Sequence, residues 1–474
     1  MDTRQESRSL RDESGALPRS EAQGKLPAFV EAFVFYSLVV LIALVVIPYG
    51  TVEPRWEAAF ECAVFILGLL WIIHGLFSGA WTRGNVRVFC PMIALVALAL
   101  VQSLPLWQMN WAGNKVWYAI SADPFESRRF ALKLAALIVA GVMLVRYTGS
   151  RRRLSVLVHA IIGVALATAL FGIARQARQH APGFGLPLLR PGIGYAQFIN
   201  KNHFAYLIEM ALALVAGVAI MRREKRERLL MYLAAFLVMW VALVLSNSRG
   251  GLLAMAAQVV CAPAIFLGSR PRAADEAKSW TRSVAVRVAI IVALLIVVAG
   301  GVVWLGDQLA TGAETAAIEI AGADRSELHE GARRRDIWRS TWLMFKAHPI
   351  TGAGFGGYWA EVSQFHQASG RLTPQQAHND YLEVLASGGI AGVGLLVWFA
   401  IVVVRQARKA LSVTDGFQRA AASGAIIGLV GVAVHSMVDF GLHITANALV
   451  FAALLAILSL KEMTPPAGPA KVAG

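Results

Sequence analysis

Long apolar runs recur along the whole chain, and they constrain its fold more than any other feature. A membrane-spanning helix needs about 20 mostly apolar residues. Twelve such runs can be read from the sequence, at about 28–48, 58–77, 87–106, 130–148, 153–173, 203–221, 229–246, 250–268, 285–305, 383–404, 419–440 and 444–460. Only 15% of the residues are charged, against about 25% in soluble domains. The sequence therefore predicts an all-α polytopic membrane protein of about twelve transmembrane helices.

The basic residues are distributed unevenly between the connecting segments, and this predicts the orientation. Alternate segments, beginning with the N-terminal one, contain 27 of the 44 lysines and arginines, and seven of the other 17 lie in one long segment. Short cytoplasmic loops are enriched in Lys and Arg, whereas long loops count little. We therefore expect both termini in the cytoplasm and the long loop in the periplasm. Topology also explains the net charge of +15 without nucleic-acid binding.

These assignments divide the chain into five parts. They are a cytoplasmic N-terminal tail (1–27), helices 1–9 (28–305), a periplasmic loop between helices 9 and 10 (306–382), helices 10–12 (383–460) and a cytoplasmic C-terminal tail (461–474). The N-terminal tail lacks the basic, apolar and small-residue order of a cleaved signal peptide. We therefore expect the first apolar run to stay as a membrane anchor.

The predicted periplasmic loop contains an amphipathic helix and a glycine-rich turn. Apolar residues recur at helical spacing between about 327 and 346, at Ile337, Trp338, Thr341, Trp342 and Phe345, which predicts a helix packed on the bundle or at the interface. The following ITGAGFGGYW matches G-x-G-x-x-G, but it follows a helix and a proline. A dinucleotide site needs a strand before the motif and a helix after it, so we interpret this segment as a turn.

Four groups of polar residues lie at the ends of predicted helices. They are Asn200–His203, the pair Asn247 and Arg249, His378–Asp380, and the series His435, Asp439 and His443. The predicted topology places all four at the non-cytoplasmic face. Ionisable groups inside a membrane protein are functional candidates by default, so the sequence predicts one polar cavity there.

Each of these residues also has a structural interpretation. Arg249 fits an interface arginine whose charged end reaches water, and His203 fits a helix cap. His435 and Asp439 are four residues apart, so on one helix they would share a face and fit a hydrogen-bonded pair.

Five segments resemble the bacterial O-antigen ligase family of lipid-linked glycan transferases. They are AHNDYLEVLASGGIAGVGLL, RRRDIWRSTWLMFKAHPITGAGFGGYW, FINKNHFAYLIEM, SNSRGG and HSMVDFGLHITANALVFAALLAIL, and they cover roughly residues 195 to 460. The resemblance implies a fold of about twelve membrane helices with one large periplasmic loop. It also implies transfer of a glycan from an undecaprenyl diphosphate carrier to an acceptor hydroxyl, which is lipid A-core in the ligases of lipopolysaccharide biosynthesis.

The resemblance assigns roles to particular residues. His378 matches the family's loop histidine and is the predicted catalytic residue, while Arg249 and Arg334 match its arginines and are predicted to bind the diphosphate. Arg333 and Arg335 flank Arg334, so the choice among these three stays open. Predicted supporting residues are Asn202, His203, Arg335, Asn379, His435 and Asp439.

The residue types fit this chemistry without the family name. A guanidinium offers a planar fork of donors to a diphosphate, and a histidine can accept a proton near neutral pH. No His, Cys or Asp cluster has metal-ligand spacing, and Cys62, Cys90 and Cys261 form no disulfide framework. We therefore expect metal-independent chemistry without a cofactor.

Several alternatives remain open at this stage. Polysaccharide polymerases and protein O-oligosaccharyltransferases share the family pattern, and a non-catalytic scaffold would bind the same lipid-linked glycan. A transporter is disfavoured, because transporters commonly show two related halves with a site near the midplane. The sequence does not identify the donor glycan, the acceptor or the oligomeric state.

Overall fold

The structure, a computed structural model, shows a multi-pass membrane protein built mostly from helices. It describes residues 21–79, 81, 84–111, 114–178, 188–189, 194–221, 225–269, 285, 330–366 and 374–463. In chain order the helices are α1 Glu21–Leu44, α2 Pro54–Ser78, α3 Cys90–Gln102, α4 Pro124–Tyr147, α5 Arg151–Ala177, α6 Lys201–Met221, α7 Arg226–Leu245, α8 Arg249–Gly268, α9 Glu330–Ala347, α10 Tyr358–Val362, α11 Asp380–Ala410, α12 Gly416–His435 and α13 Thr445–Ser459.

Eleven of the twelve predicted spans fall on described residues, and each coincides with an apolar helix. Eight of these helices have 18 or more residues and are apolar enough to cross a membrane, and three shorter ones cover Ala28–Leu44, Val86–Gln102 and Thr445–Ser459. The ninth predicted span, 285–305, lies outside the described residues apart from its first position. The polytopic helical architecture is therefore confirmed, while the count of twelve stays a prediction.

Local sequence explains where several helices begin. The side chains of Asp123, Ser248, Asn379 and Asp415 accept hydrogen bonds from backbone N–H groups of the first turns of α4, α8, α11 and α12. Such caps satisfy donors that have no partner inside the helix. At its other end, α2 stops at Gly79, which adopts the left-handed conformation at φ 63° that favours glycine.

Helices α6 and α12 form the centre of the bundle. A Cβ atom on Gly217 would lie 2.6 Å from the Ala420 carbonyl oxygen, and one on Gly424 would lie 2.7 Å from the Ala213 carbonyl oxygen. The small residues therefore stand four apart on each helix and let the two backbones approach closely, as is common in membrane helix pairs.

The prediction for span ten, 383–404, misses an irregularity in α11. This helix begins at Asp380 and is broken at Gly389, whose φ of 59° and ψ of −156° are not helical. The glycine-rich segment fills the break, because Ile390 N donates to Pro349 O at 2.9 Å and Gly354 N donates to Ser387 O at 3.0 Å. A Cβ atom on Gly389 would lie 2.4 Å from Ile350 O. The glycines thus serve backbone packing, consistent with the interpretation of this segment as a turn.

Two further predictions need correction. The fold is not purely α-helical: α3 ends at Gln102, and a hairpin of two antiparallel strands follows, β1 Trp107–Trp111 and β2 Asn114–Tyr118. In the amphipathic helix α9, Trp342 does not belong to the packed face, because 45% of its surface is exposed while Met344 is fully buried.

Contacts between distant segments define two ends of the bundle. At one end, Asn85 N donates to Ser459 O at 2.9 Å and the side chain of Gln406 donates to Leu458 O at 2.8 Å. At the other end, Ala446 N donates to Gly50 O at 3.1 Å. All four predicted polar groups lie at this second end, which we call the polar end.

Candidate active site

Three histidines from distant segments surround the ring of Phe440, in the connection between α12 and α13. The ring packs edge-on against His203, His378 and His443, with centroid distances of 5.1, 4.8 and 5.8 Å. His203 lies in the first turn of α6, His378 just before α11 and His443 just before α13. Three of the four predicted polar groups therefore meet at one point.

A fully buried carboxylate, Asp439, adjoins this cluster. Its Oδ1 lies 3.6 Å from His378 Nδ1 and accepts a hydrogen bond from Phe440 N at 2.8 Å, while its Oδ2 accepts from the Asn202 side chain. Burial alone would raise the pKa of the Asp439 carboxyl, but the neighbouring His378 and His203 and the Phe440 N–H outweigh burial and lower this pKa to about 2. Asp439 is therefore a carboxylate at neutral pH.

The contacts of Asn202 connect Asp439 to the turn that carries Arg249. The side-chain oxygen of Asn202 accepts a hydrogen bond from Ser248 Oγ at 2.7 Å, and Ser248 also caps α8 by accepting from Gly251 N at 3.2 Å. Arg249 is the first residue of α8 and is exposed. The cap and the Asn202 contact thus fix the backbone from which the Arg249 side chain starts.

The segment before α11 holds His378 in an uncommon backbone conformation. Its φ is 49°, a left-handed value that few non-glycine residues adopt, and about a third of its side chain, 33%, remains exposed. On one side, Trp338 Nε1 donates to Ala377 O at 3.1 Å. On the other, Asn379 accepts from Leu382 N at 3.0 Å. Asn379, predicted as a supporting residue, therefore acts here as a helix cap.

The contact of Trp338 also locates Arg334, which stands four residues earlier on α9. Residues four apart on a helix lie on the same face, so Arg334 is on the side of α9 that meets the segment before His378. Arg334 is half-buried, whereas Arg335 is exposed. The side chain of Arg333 lies outside the described residues.

The predicted pairing of His435 with Asp439 is wrong. Helix α12 ends at His435, so Asp439 lies beyond the helix and the two residues share no helix face. His435 Nδ1 instead lies 2.9 Å from Glu209 Oε2 on α6, with both side chains fully buried. The His435 ring also stacks on Tyr206 at a centroid distance of 3.9 Å.

The sequence analysis named Asp380 and His443 but missed their partners Ser436 and Glu383, and it also missed Glu209. Ser436 Oγ donates to Asp380 Oδ2 at 2.7 Å, and His443 Nε2 lies 3.5 Å from both Asp380 and Glu383. Glu209 could have been found, because it is the one acidic residue in the apolar run of α6, and intramembrane acids mark functional or pairing sites. Glu383 gave no such signal, because acidic residues are common in the first turn of any helix.

This arrangement combines groups for proton transfer with groups for anion binding. A histidine beside a carboxylate can accept a proton and have the resulting charge stabilised. Arg249 and Arg334 have no acidic partner within the described part of the chain, so both remain available to an anionic ligand. Among the described residues, no group of three or more His, Cys, Asp or Glu is placed to hold a metal ion.

Comparison with known proteins gives two matches. The O-antigen ligase family model matches residues 234–397, about a third of the chain, which include Arg249, Arg334 and His378. A uracil permease from Paenibacillus larvae subsp. larvae is 26% identical over 203 residues, which is 41% of this chain and 44% of that protein. The chain thus aligns with less than half of the length of that relative.

The two matches carry different weight. Apolar membrane helices draw on the same few residue types, which raises the identity between unrelated spans. The family match, in contrast, covers the SNSRGG, RRRDIW and AHNDYLE segments, which are polar and specific. Residues 234–397 therefore match the O-antigen ligase family, which confirms the resemblance that the motifs predicted.

Proposed function

We propose that this protein transfers a glycan from an undecaprenyl diphosphate carrier to an acceptor hydroxyl at the periplasmic face of the bacterial inner membrane, with both termini in the cytoplasm. The observation that supports this most is the joint placement of His378 beside the buried carboxylate of Asp439. Arg249 follows Ser248, which contacts Asn202 beside Asp439. Arg334 is on α9, from which Trp338 contacts Ala377 beside His378. Both arginines remain available to the diphosphate.

The proposed reaction assigns a task to each group. Arg249 and Arg334 hold the diphosphate through paired charge-assisted hydrogen bonds. His378 accepts the proton of the acceptor hydroxyl as its oxygen attacks the anomeric carbon, and Asp439 stabilises the imidazolium that forms. The bond between the anomeric carbon and the diphosphate oxygen breaks, and undecaprenyl diphosphate leaves with the bonding electrons. Direct displacement inverts the anomeric configuration.

The donor itself explains why these residues suffice. A diphosphate is a stable anion, so the leaving group needs no proton from the protein. The arginines compensate the negative charge that grows on the leaving oxygen, which is the role of preorganised electrostatic stabilisation. We propose lipid A-core as the acceptor, with a growing polysaccharide or a protein hydroxyl as alternatives that the same chemistry accommodates.

The decisive test replaces His378 and measures transfer of a purified lipid-linked glycan in detergent. Since general-base catalysis contributes about 10²–10⁴-fold, His378→Ala should lower turnover by about that range and leave donor affinity nearly unchanged. His378→Gln retains hydrogen bonding but accepts no proton, so it should be as inactive as His378→Ala. Near-normal turnover of His378→Gln would rule out the base and leave only an orienting role.

A transporter is a second candidate, favoured by the similarity to a uracil permease and by the broken helix α11, since discontinuous helices bind substrates in many transporters. In this chain, however, backbone groups of residues 349–354 occupy the break. We expect no uracil uptake by proteoliposomes containing the protein. Uptake that requires an ion gradient would support the transporter instead.

A further inference from the structure

The hairpin β1–β2, between α3 and α4, presents an apolar face. Side chains alternate between the faces of a strand, and the register pairs Trp107 with Tyr118 and Met109 with Val116. These four side chains therefore share one face, and the exposed fractions of Trp107, Met109 and Val116 are 43, 51 and 38%. We call it the apolar hairpin face. Gln108, Asn110, Lys115 and Trp117 lie on the opposite face.

The apolar hairpin face continues a surface that already faces lipid. The last turn of α3 and the segment after it expose Val101, Leu104 and Leu106 by 46, 47 and 50%, and α3 belongs to the shorter apolar helical segment Val86–Gln102, which coincides with the third predicted span. On the other side of the hairpin, Phe125 at the start of α4 is 65% exposed. Exposed apolar residues thus lie on both sides of the hairpin as well as on its apolar face.

Composition gives a second, independent indication. Trp107, Trp111 and Trp117 lie within one hairpin, although the whole chain has only 13 tryptophans. Tryptophan and tyrosine are enriched where membrane proteins meet the boundary between headgroups and acyl chains. A two-stranded hairpin is also marginally stable in water on its own, and three of the four side chains of its apolar face remain exposed.

We propose that the hairpin β1–β2 is a membrane-binding element that inserts its apolar face into the lipid headgroup–acyl boundary at the polar end of the bundle. Because this boundary is hydrated, it can satisfy the unpaired backbone groups at the hairpin edges, which the hydrocarbon core cannot. Lys115, beside the turn, is placed to reach lipid phosphates, as basic side chains do at this depth.

The base of the hairpin contacts the glycine-rich segment and the break in α11, which precede and follow His378 in the sequence. Ser121 N donates to Gln102 O at 2.9 Å, and Ala122 N donates to Ala353 O at 2.9 Å. The Gln102 side chain donates to Thr351 O at 2.6 Å and to Ser387 O at 2.9 Å. Insertion of the hairpin would therefore fix the position of the glycine-rich segment and of the α11 break along the membrane normal.

The test uses a fluorophore on single cysteines in a variant without Cys62, Cys90 and Cys261, reconstituted in lipid nanodiscs. The probe position is Met109→Cys on the apolar hairpin face, and the control is Ser363→Cys, an exposed polar position after α10. Lipids with a nitroxide at a shallow acyl position should quench the label at 109 and not the label at 363. Iodide in the buffer should do the reverse.

Two outcomes would overturn the proposal. If iodide quenches both labels equally and the lipid nitroxide quenches neither, the hairpin lies in water. If neither quencher reaches the label at 109, another part of the chain covers the face instead of lipid. Because the measurement needs no glycan donor, its outcome is independent of the proposed transferase activity.

Discussion

The two ends of the helix bundle both contain arginines paired with acidic side chains, but the polar end also contains Arg249 and Arg334. At the end opposite the candidate site, the fully buried Arg146 lies 3.0 Å from Glu31. At the polar end, Arg129 likewise lies 2.9 Å from Glu126 and 3.4 Å from Glu57, whereas Arg249 and Arg334 contact no acidic side chain among the described residues. The polar end thus contains an arginine whose charge is balanced within the fold and two arginines that a ligand can neutralise.

The buried acidic side chains of the two ends differ in their partners. Its buried carboxylates contact amides, hydroxyls and imidazoles, as in the hydrogen bond from Asn202 to Asp439 and the contact of Glu209 with His435. At the opposite end, Arg151 lies 3.8 Å from Asp415. Buried charge therefore occurs at both ends, whereas the contact of His378 with the buried carboxylate of Asp439 belongs to the polar end.

The largest effect within this comparison should come from exchanging arginine for lysine at the two ends. Arg249→Lys and Arg334→Lys keep the charge and lose the planar fork, so turnover should fall by about 10²–10³-fold, the usual loss of one preorganised donor. The matched control is Arg151→Lys, which changes a half-exposed pair of little energetic value and should leave turnover nearly normal. If Arg151→Lys lost as much turnover as Arg249→Lys and Arg334→Lys at equal protein levels, the arginines of the polar end would have no special role in the reaction.

A smaller effect is expected from Asp439→Asn. The amide keeps the shape of the side chain but removes the charge that stabilises the imidazolium of His378, so turnover should fall on the order of tenfold or more, and less than with His378→Ala. Transfer assays of the two single variants and the double variant test this, because a shared role makes the losses less than additive. Additive losses would mean that Asp439 acts independently of His378.

The contribution of Asp439 to the stability of the folded protein should depend on pH. Its pKa is lowered in the folded protein from 3.8 to about 2, so its contribution to stability is fully present above about pH 4 and is lost as pH falls through 2. The difference in melting temperature between the wild type and Asp439→Asn should therefore stay constant from pH 8 to pH 5 and narrow below pH 4. If the difference in melting temperature already narrows between pH 8 and pH 6, the titration of a group other than Asp439 is responsible for the pH dependence.

The smallest effect on turnover should come from Glu209, which pairs with His435 one to two helical turns inside the bundle. Glu209→Gln keeps a hydrogen bond to His435, so turnover should change little. Glu209→Ala leaves the buried imidazole without this partner, which typically costs about 1–3 kcal/mol, and should lower the melting temperature. If Glu209→Gln were as inactive as His378→Gln, the pair would belong to the catalytic groups.

The helices could be predicted because apolar run length directly reflects bilayer thickness. Features that depend on contacts between distant segments could not. The break at Gly389 requires the approach of residues 349–354, and the sequence shows only one more glycine in an apolar helix. The hairpin at 107–118 was missed for a different reason: the sequence was read for long apolar runs, and the short alternation of apolar and polar residues in Trp107–Trp111, which is the pattern of a strand, was not used.

The candidate site was predictable in location and only partly in detail. Polar residues at alternate helix ends indicated that Asn202, Arg249, His378 and Asp439 belong to the same face. The hydrogen-bond partners of these side chains could not be predicted from the sequence. His435 and Asp439 have helical spacing, but the helix ends between them, and the partner of His435 comes from α6. Such pairings depend on how helices are arranged in three dimensions, which residue spacing does not report.

The most direct test of the central claim measures which lipid the polar end binds. Purified protein in detergent is titrated with undecaprenyl diphosphate and, separately, with undecaprenol, which has the same chain and no diphosphate. Since charge-assisted hydrogen bonds contribute about 1.5–3 kcal/mol each, the wild type should prefer the diphosphate by about tenfold or more. The double variant Arg249→Ala, Arg334→Ala should lose this preference, while His378→Ala keeps it. A preference for the diphosphate that survives in the double variant would contradict the account.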